Sequence, residues 1–209
     1  MELGLVLSFV GASIILSLMP GPDNIFVLTE SLTKGQRNGI AISIGLSLGV
    51  LIHTIAAATG LSIIIQKSAV AFSIIKYFGA AYLLYLAFNA LKDKQPEIHI
   101  DEASEENKTP FFKLIKKGFL MNVLNPKVSL FFIAFLPQFT TQGGINITVQ
   151  MIILGLLFML QALLVFSLIS VLSSKLTKYV NEPKFWKITK WSKVGVLTIL
   201  GLTLALTEK

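Results

Sequence analysis

The amino-acid sequence predicts an all-α membrane protein: six transmembrane helices arranged as two inverted three-helix repeats, the first and fourth helices broken at proline. Three observations carry that expectation. The 209 residues are 54% hydrophobic and only 14% charged, with a mean hydropathy of +0.75, whereas an ordinary soluble domain carries about 25% charge. Such a chain cannot cover a folded surface with polar groups. Its apolar residues fall into six stretches, each near the roughly 20 residues a helix needs to cross a hydrocarbon core about 30 Å thick. Finally, the basic residues segregate to alternate connections between those stretches.

The first stretch runs from Leu3 to about Thr33 and is interrupted at Pro20-Gly21-Pro22. It follows Met1-Glu2 without the basic region of a secretory leader, so it reads as a retained span. The second runs from about Ile40 to Ile65, where Gly45 and Gly49, with Ser43 and Ser47 nearby, suit close helix packing. The third covers about Ala69 to Leu91. A polar segment from about Lys92 to Lys117 follows, and its Asp101-Glu102-Ala103-Ser104-Glu105-Glu106 run reads as a solvated linker. The fourth stretch, Gly118 to about Phe139, is broken at Asn125-Pro126. The fifth runs from Thr148 to about Leu172, and the sixth, from about Val194 to Thr207, is short. It lengthens if it starts near Ile188 with Lys190 and Lys193 snorkelling to the headgroups. Just before it, Phe185, Trp186 and Trp191 interleave with lysines, as in an interfacial helix resting on anionic lipid. One transmembrane domain is therefore expected over residues 1–209, with repeats at about 1–91 and 118–209 and a cytoplasmic loop at about 92–117.

Fourteen of the eighteen Lys and Arg residues fall in the first, third and fifth connections. Lys67 and Lys209 fall on the opposite side, and Lys76 and Lys127 lie inside apolar stretches. Cytoplasmic loops carry the excess of Lys and Arg, so both termini are expected outside the cytoplasm. The net charge of +7 thus reports orientation in the bilayer, and nucleic acid is not an expected partner. The absence of cysteine excludes disulfides, thiol redox chemistry and thiolate metal sites. With only His53 and His99, and neither a zinc-protease nor a nucleophile-elbow motif, neither an enzyme nor a cofactor is expected.

Displaced by 104 residues, Pro22-Asp23 falls on Pro126-Lys127, and Gly39 on Gly143. The charge count has the first three spans begin outside and the last three inside, so the halves are related by inversion. That is the plan of many secondary transporters, in which matched Pro- or Gly-interrupted segments point to the substrate site. Proline removes a donor and frees the carbonyl four residues back, which hydrocarbon cannot satisfy. At 1.5 Å per residue, Asp23 and Lys127 each lie roughly 15–17 Å from the cytoplasmic face, near the midplane. An unpaired charge there costs at least about 2.5–3.5 kcal/mol, so partners are required: each other, a half-helix terminus, or a zwitterionic ligand. Asp23 opens a half-helix, where the dipole favours an anion. Lys127 at the equivalent place is mismatched, which makes it a candidate to capture a carboxylate. The same two residues also fit a structural ion pair pinning two broken helices.

Asn24, Asn122 and Asn125 cluster at the breaks as ligand contacts or helix caps. Glu30, four residues from Lys34, is either an interfacial carboxylate or, with Asp23 and His53, part of a proton path; His53 equally fits a hydrogen-bonded packing residue. Gln161 suits interhelical bonding. These features favour a transporter moving a polar metabolite by alternating access, with a channel-like or non-transporting membrane protein as the alternative.

Pro20-Gly21-Pro22-Asp23, the Gly35-Gln36-Arg37-Asn38-Gly39 turn followed by Ala41 and Gly45, and Asn125-Pro126-Lys127 together resemble the bacterial lysine and homoserine/threonine exporter family, the LysE/RhtB type. The resemblance covers nearly the whole chain. It implies export of amino acids or their small derivatives across the bacterial inner membrane, driven by the proton gradient and performed by a homodimer. Related branches export cations or relay thiol electrons; the lack of cysteine excludes the latter, and the few buried carboxylates count against a metal exporter. The scarcity of intramembrane acids beyond Asp23 and Glu30 favours a neutral zwitterion over a dibasic substrate.

Overall fold

A computed structural model describes residues 1–93, 109–141, 144–180 and 182–206. The acidic run at 101–106, His99 and Gly143 lie outside them. The described residues form helices and no strand: α1 Leu3–Leu18, α2 Pro22–Lys34, α3 Gln36–Ala56, α4 Ser62–Lys67, α5 Ala69–Ala90, α6 Phe111–Val123, α7 Pro126–Leu130, α8 Ile147–Val180 and α9 Pro183–Leu206. A π-helical turn, Ala57–Leu61, joins α3 to α4, and α7 continues through a π-helical turn, Phe131–Phe135, into a 3-10 turn, Leu136–Phe139.

Four helical segments are long and apolar enough to cross a membrane, and two bent pairs bring the number to six if each counts as one span. α1 and α2 meet at 58°, and α6 meets the Pro126–Phe139 segment at 49°. Both bends have the same local cause. Pro22 and Pro126 each occupy the first turn of a helix, where a missing N–H costs nothing because that group would be unbonded anyway. Asn125 caps the second of these helices, its Oδ1 accepting from Lys127 N at 3.0 Å.

Three boundaries differ from expectation. The fourth span begins at Phe111, seven residues before Gly118, because α6 turns Leu114 and Gly118 inward and leaves Lys113, Lys116 and Lys117 outside. The fifth extends to Val180. The sixth starts at Pro183, another proline suited to a first turn. Among the described residues no separate interfacial helix precedes it: Trp186, 8% exposed, packs with Leu28, Ile25 and Ile169, while Trp191 is exposed.

α3 is central and packs on both α6 and α8. Small residues permit the first contact: a Cβ at Gly45 would collide with the Ile115 carbonyl, one at Gly118 with the Ile42 carbonyl, and one at Gly49 would crowd Asn122. In the α2–α3 turn, Gly35 adopts φ +87°, a conformation other residues rarely take, and Gly39 makes room for Ser31 and Ser170. Those serines bond each other at 2.9 Å, and Ser170 donates to the Gln36 carbonyl at 3.0 Å. The Gly35–Gly39 motif is thereby a knot joining α2, α3 and α8.

Candidate functional site

The two bends lie against each other. Asp23, in the first turn of α2 and 2% exposed, accepts a hydrogen bond from Asn125 Nδ2, and Asn125 in turn caps the helix that Lys127 begins. Asp23 and Lys127 both bond Asn125, and the described contacts include no direct ion pair between acid and base. Asn125 stands between.

Lys127 corrects the dipole argument drawn from sequence. Its ammonium does not sit against the positive end of its own helix; it reaches across to α1 and donates to the carbonyls of Leu16 at 3.2 Å and Met19 at 3.4 Å. The Leu16 carbonyl is orphaned because its helical partner would be the N–H of Pro20, which does not exist. Lys127 is therefore a C-terminal cap supplied from the other half of the chain, placed where a cation is favoured. Asn24 completes that cap through Nδ2 to the Ser17 carbonyl at 2.8 Å.

The second bend is treated alike. Pro126 frees the Asn122 carbonyl, which accepts from Asn125 N at 2.9 Å and from His53 Nε2 at 3.1 Å. A carbonyl only accepts, so Nε2 carries the proton in this arrangement. Gln161 of α8 ties in α1, donating to the Ser17 hydroxyl at 2.9 Å and the Ser13 carbonyl at 3.3 Å. The side-chain oxygens of Asn24, Asn122 and Gln161 are buried and accept no protein hydrogen bond. Glu30 is apart from the cluster and pairs with Lys34 at 3.3 Å.

The structure thus gathers Asp23, Asn24, Asn122, Asn125, Lys127 and His53 around Pro20, Gly21, Pro22 and Pro126, and leaves Glu30 out. The residues not singled out from sequence are Ser17, which both Asn24 and Gln161 engage, and the pair Asp93–Lys193, joined at 2.6 Å beside the first bend. Lys193 was legible as an orientation charge snorkelling to the headgroups, without its partner. An acid ending the third span opposite a lysine of the sixth was the available signal.

The family profile of the LysE type translocators matches residues 14–208, which takes in both bends and every residue of this cluster. The chain belongs to the LysE type translocator family. Among relatives of this translocator, an uncharacterized membrane protein of Bacillus subtilis, YrhP, is 32% identical over 206 residues, covering 94% of this chain and 95% of the relative. A leucine efflux protein of Salmonella typhimurium is 28% identical over 195 residues, covering 93% and 88%. An uncharacterized membrane protein of Vibrio cholerae is 27% identical over 202 residues, covering 96% and 95%. No solved structure matches the translocator. Family membership and the helical spans mark a multi-pass membrane translocator, which points to a transporter.

Proposed function

We propose that this translocator is a proton-coupled secondary transporter that exports neutral amino acids or their small derivatives from the cytoplasm by alternating access. The observation carrying this reading is the convergence of two broken helices on the buried Asp23–Asn125–Lys127 cluster. Irregular backbone at membrane depth is tolerated only where protein or a water-filled cavity surrounds it, and broken helices are where many transporters bind substrate. The leucine efflux relative supplies the substrate class.

The cluster offers both halves of a zwitterion a partner. The substrate ammonium takes Asp23 and the free oxygen of Asn24, beside Asn122 and Asn125. The substrate carboxylate draws Lys127 off the Leu16 and Met19 carbonyls. Losing that cap loosens the end of α1, so occupancy and helix movement are linked through one side chain. Only a differential interaction of this kind lets a ligand shift a conformational equilibrium. Asp23 exchanges ammonium for proton, with His53 along the proton path.

Further features support two inverted repeats. Pro22 and Pro126 hold equivalent helix positions, and α3 packs on α6 as α8 packs on α1 and α2. Phe9, Phe131, Phe132 and Phe158 form a buried aromatic cluster on one side of the bends, while a cavity opens on the other, as in one state of an alternating carrier. The protein acts as a homodimer in the bacterial inner membrane, with both termini on the outer face.

The test is efflux from proteoliposomes loaded with L-leucine. Saturable efflux that an imposed pH gradient accelerates and a protonophore abolishes is expected. Linear, protonophore-insensitive flux marks a channel and overturns the reading.

A further inference from the structure

A cavity of about 610 Å³ runs between the α1–α2 bend, the end of α5 and the first turns of α9, a size within the range of small-molecule sites. Ile25, Leu91, Trp186 and Trp191 give it apolar walls, while Asp93 and Lys193 supply opposite charges. The charges are not balanced. Lys193 meets the Asp93 carboxylate at 2.6 Å and Lys190 donates to the Asp93 carbonyl at 3.2 Å, with Lys187 also on the wall, so cations outnumber acid. At its inner end the wall is Gly21, where even a Cβ would stand only 3.6 Å from Lys127 Nζ. The cavity is therefore the antechamber of the cluster.

We propose that this cavity is the capture site for a zwitterionic amino acid with an apolar side chain, Asp93 and Lys193 parting to take the ammonium and the carboxylate. An acid and a base held side by side carry the two charges an α-amino acid complements, and both are partly exposed, with side-chain accessibilities of 47% and 27%. Exchange of one such pair for another is nearly balanced in free energy, because exposed ion pairs contribute only about 0–1 kcal/mol. Selectivity then comes from the apolar wall. The inference rests on the export reading, adding where substrate first binds and which side chains it favours.

The only two tryptophans of the chain, Trp186 and Trp191, both line this cavity, so intrinsic emission reports on it. The protein in phosphatidylcholine nanodiscs is titrated with L-leucine, and counterflow of L-leucine is measured on the same purified protein reconstituted into sealed phosphatidylcholine proteoliposomes. A saturable emission change is expected. It weakens roughly tenfold in Lys193→Gln, recovers in Lys193→Arg and is unaltered in Lys113→Gln on the far face of α6. In Asp93→Asn the preference moves from L-leucine toward 4-methylpentanoate, which lacks the amine. Leucine transport without any saturable emission change overturns the capture site and leaves the export reading standing. An emission change without transport of any amino acid supports the capture site and sinks the export reading. A response to glycerol phosphate or anionic lipid but not to leucine makes the cavity a headgroup site and overturns the proposal.

Discussion

The two sides of the bends are built from different materials. On the side of α1, α7 and the start of α8, Phe9, Phe131, Phe132, Phe135 and Phe158 are buried against one another, with ring centroids 5.2–6.4 Å apart where they pair. On the side of α2, α6 and the start of α9, the chain holds serine knots, an acid–base pair and a cavity walled by lysine and tryptophan. Both sides have mid-helix irregularities, and the cavity beside Gly21 lies on the second. The lesson is that a broken helix does not by itself make a pathway. The backbone groups it frees are bonded on both sides, and what differs is whether side chains fill the space beyond.

The comparison can be broken most forcefully at the seal. Phe131→Ala removes the ring at the centre of the aromatic cluster and is expected to cost about 3–5 kcal/mol, read as a lowered unfolding midpoint in detergent. It also raises passive leucine leak in proteoliposomes. A variant as stable and as tight as the parent shows that the cluster is not the seal. On the other side, Gly118→Val drives a side chain into the Ile42 backbone where α3 and α6 touch. Overpacking of this kind costs about 1–3 kcal/mol, so a smaller loss of midpoint is expected without added leak. The smallest effect belongs to the boundary. His53→Phe keeps the ring contact to Phe132, centroids 5.8 Å apart in the parent, but deletes the donor to the Asn122 carbonyl. A loss of about 0.5–1.5 kcal/mol follows, and no loss would show that Asn125 N alone suffices there.

Much of this was legible in the chain because some residues have few physical outcomes. A proline in an apolar stretch frees a carbonyl wherever it sits, so Pro22 and Pro126 announced both bends. A charge in hydrocarbon demands a partner, so Asp23 and Lys127 announced a polar centre. The identity of the partners was not legible. Lys127 bonds a carbonyl 111 residues away, and which orphaned group it reaches depends on how α7 approaches α1, a tertiary fact without local signature. The start of the fourth span was misplaced because the lysines of α6 read as loop, when their stems lie on a helix whose opposite face is buried. Lys193 and Asp93 escaped notice because surface charges look alike until the fold sets two of them beside a cavity.

The central claim is that substrate crosses at the Asp23–Asn125–Lys127 cluster. It is tested most directly by initial rates of L-leucine counterflow in Asp23→Asn and Lys127→Ala proteins whose folding is verified by unchanged elution and tryptophan emission. Each substitution removes the charge assigned to one end of the zwitterion, and a hydrogen bond to a charged group is worth about 1.5–3 kcal/mol, so each rate is predicted to fall by roughly tenfold to a hundredfold. Parental rates in both folded variants would contradict the account.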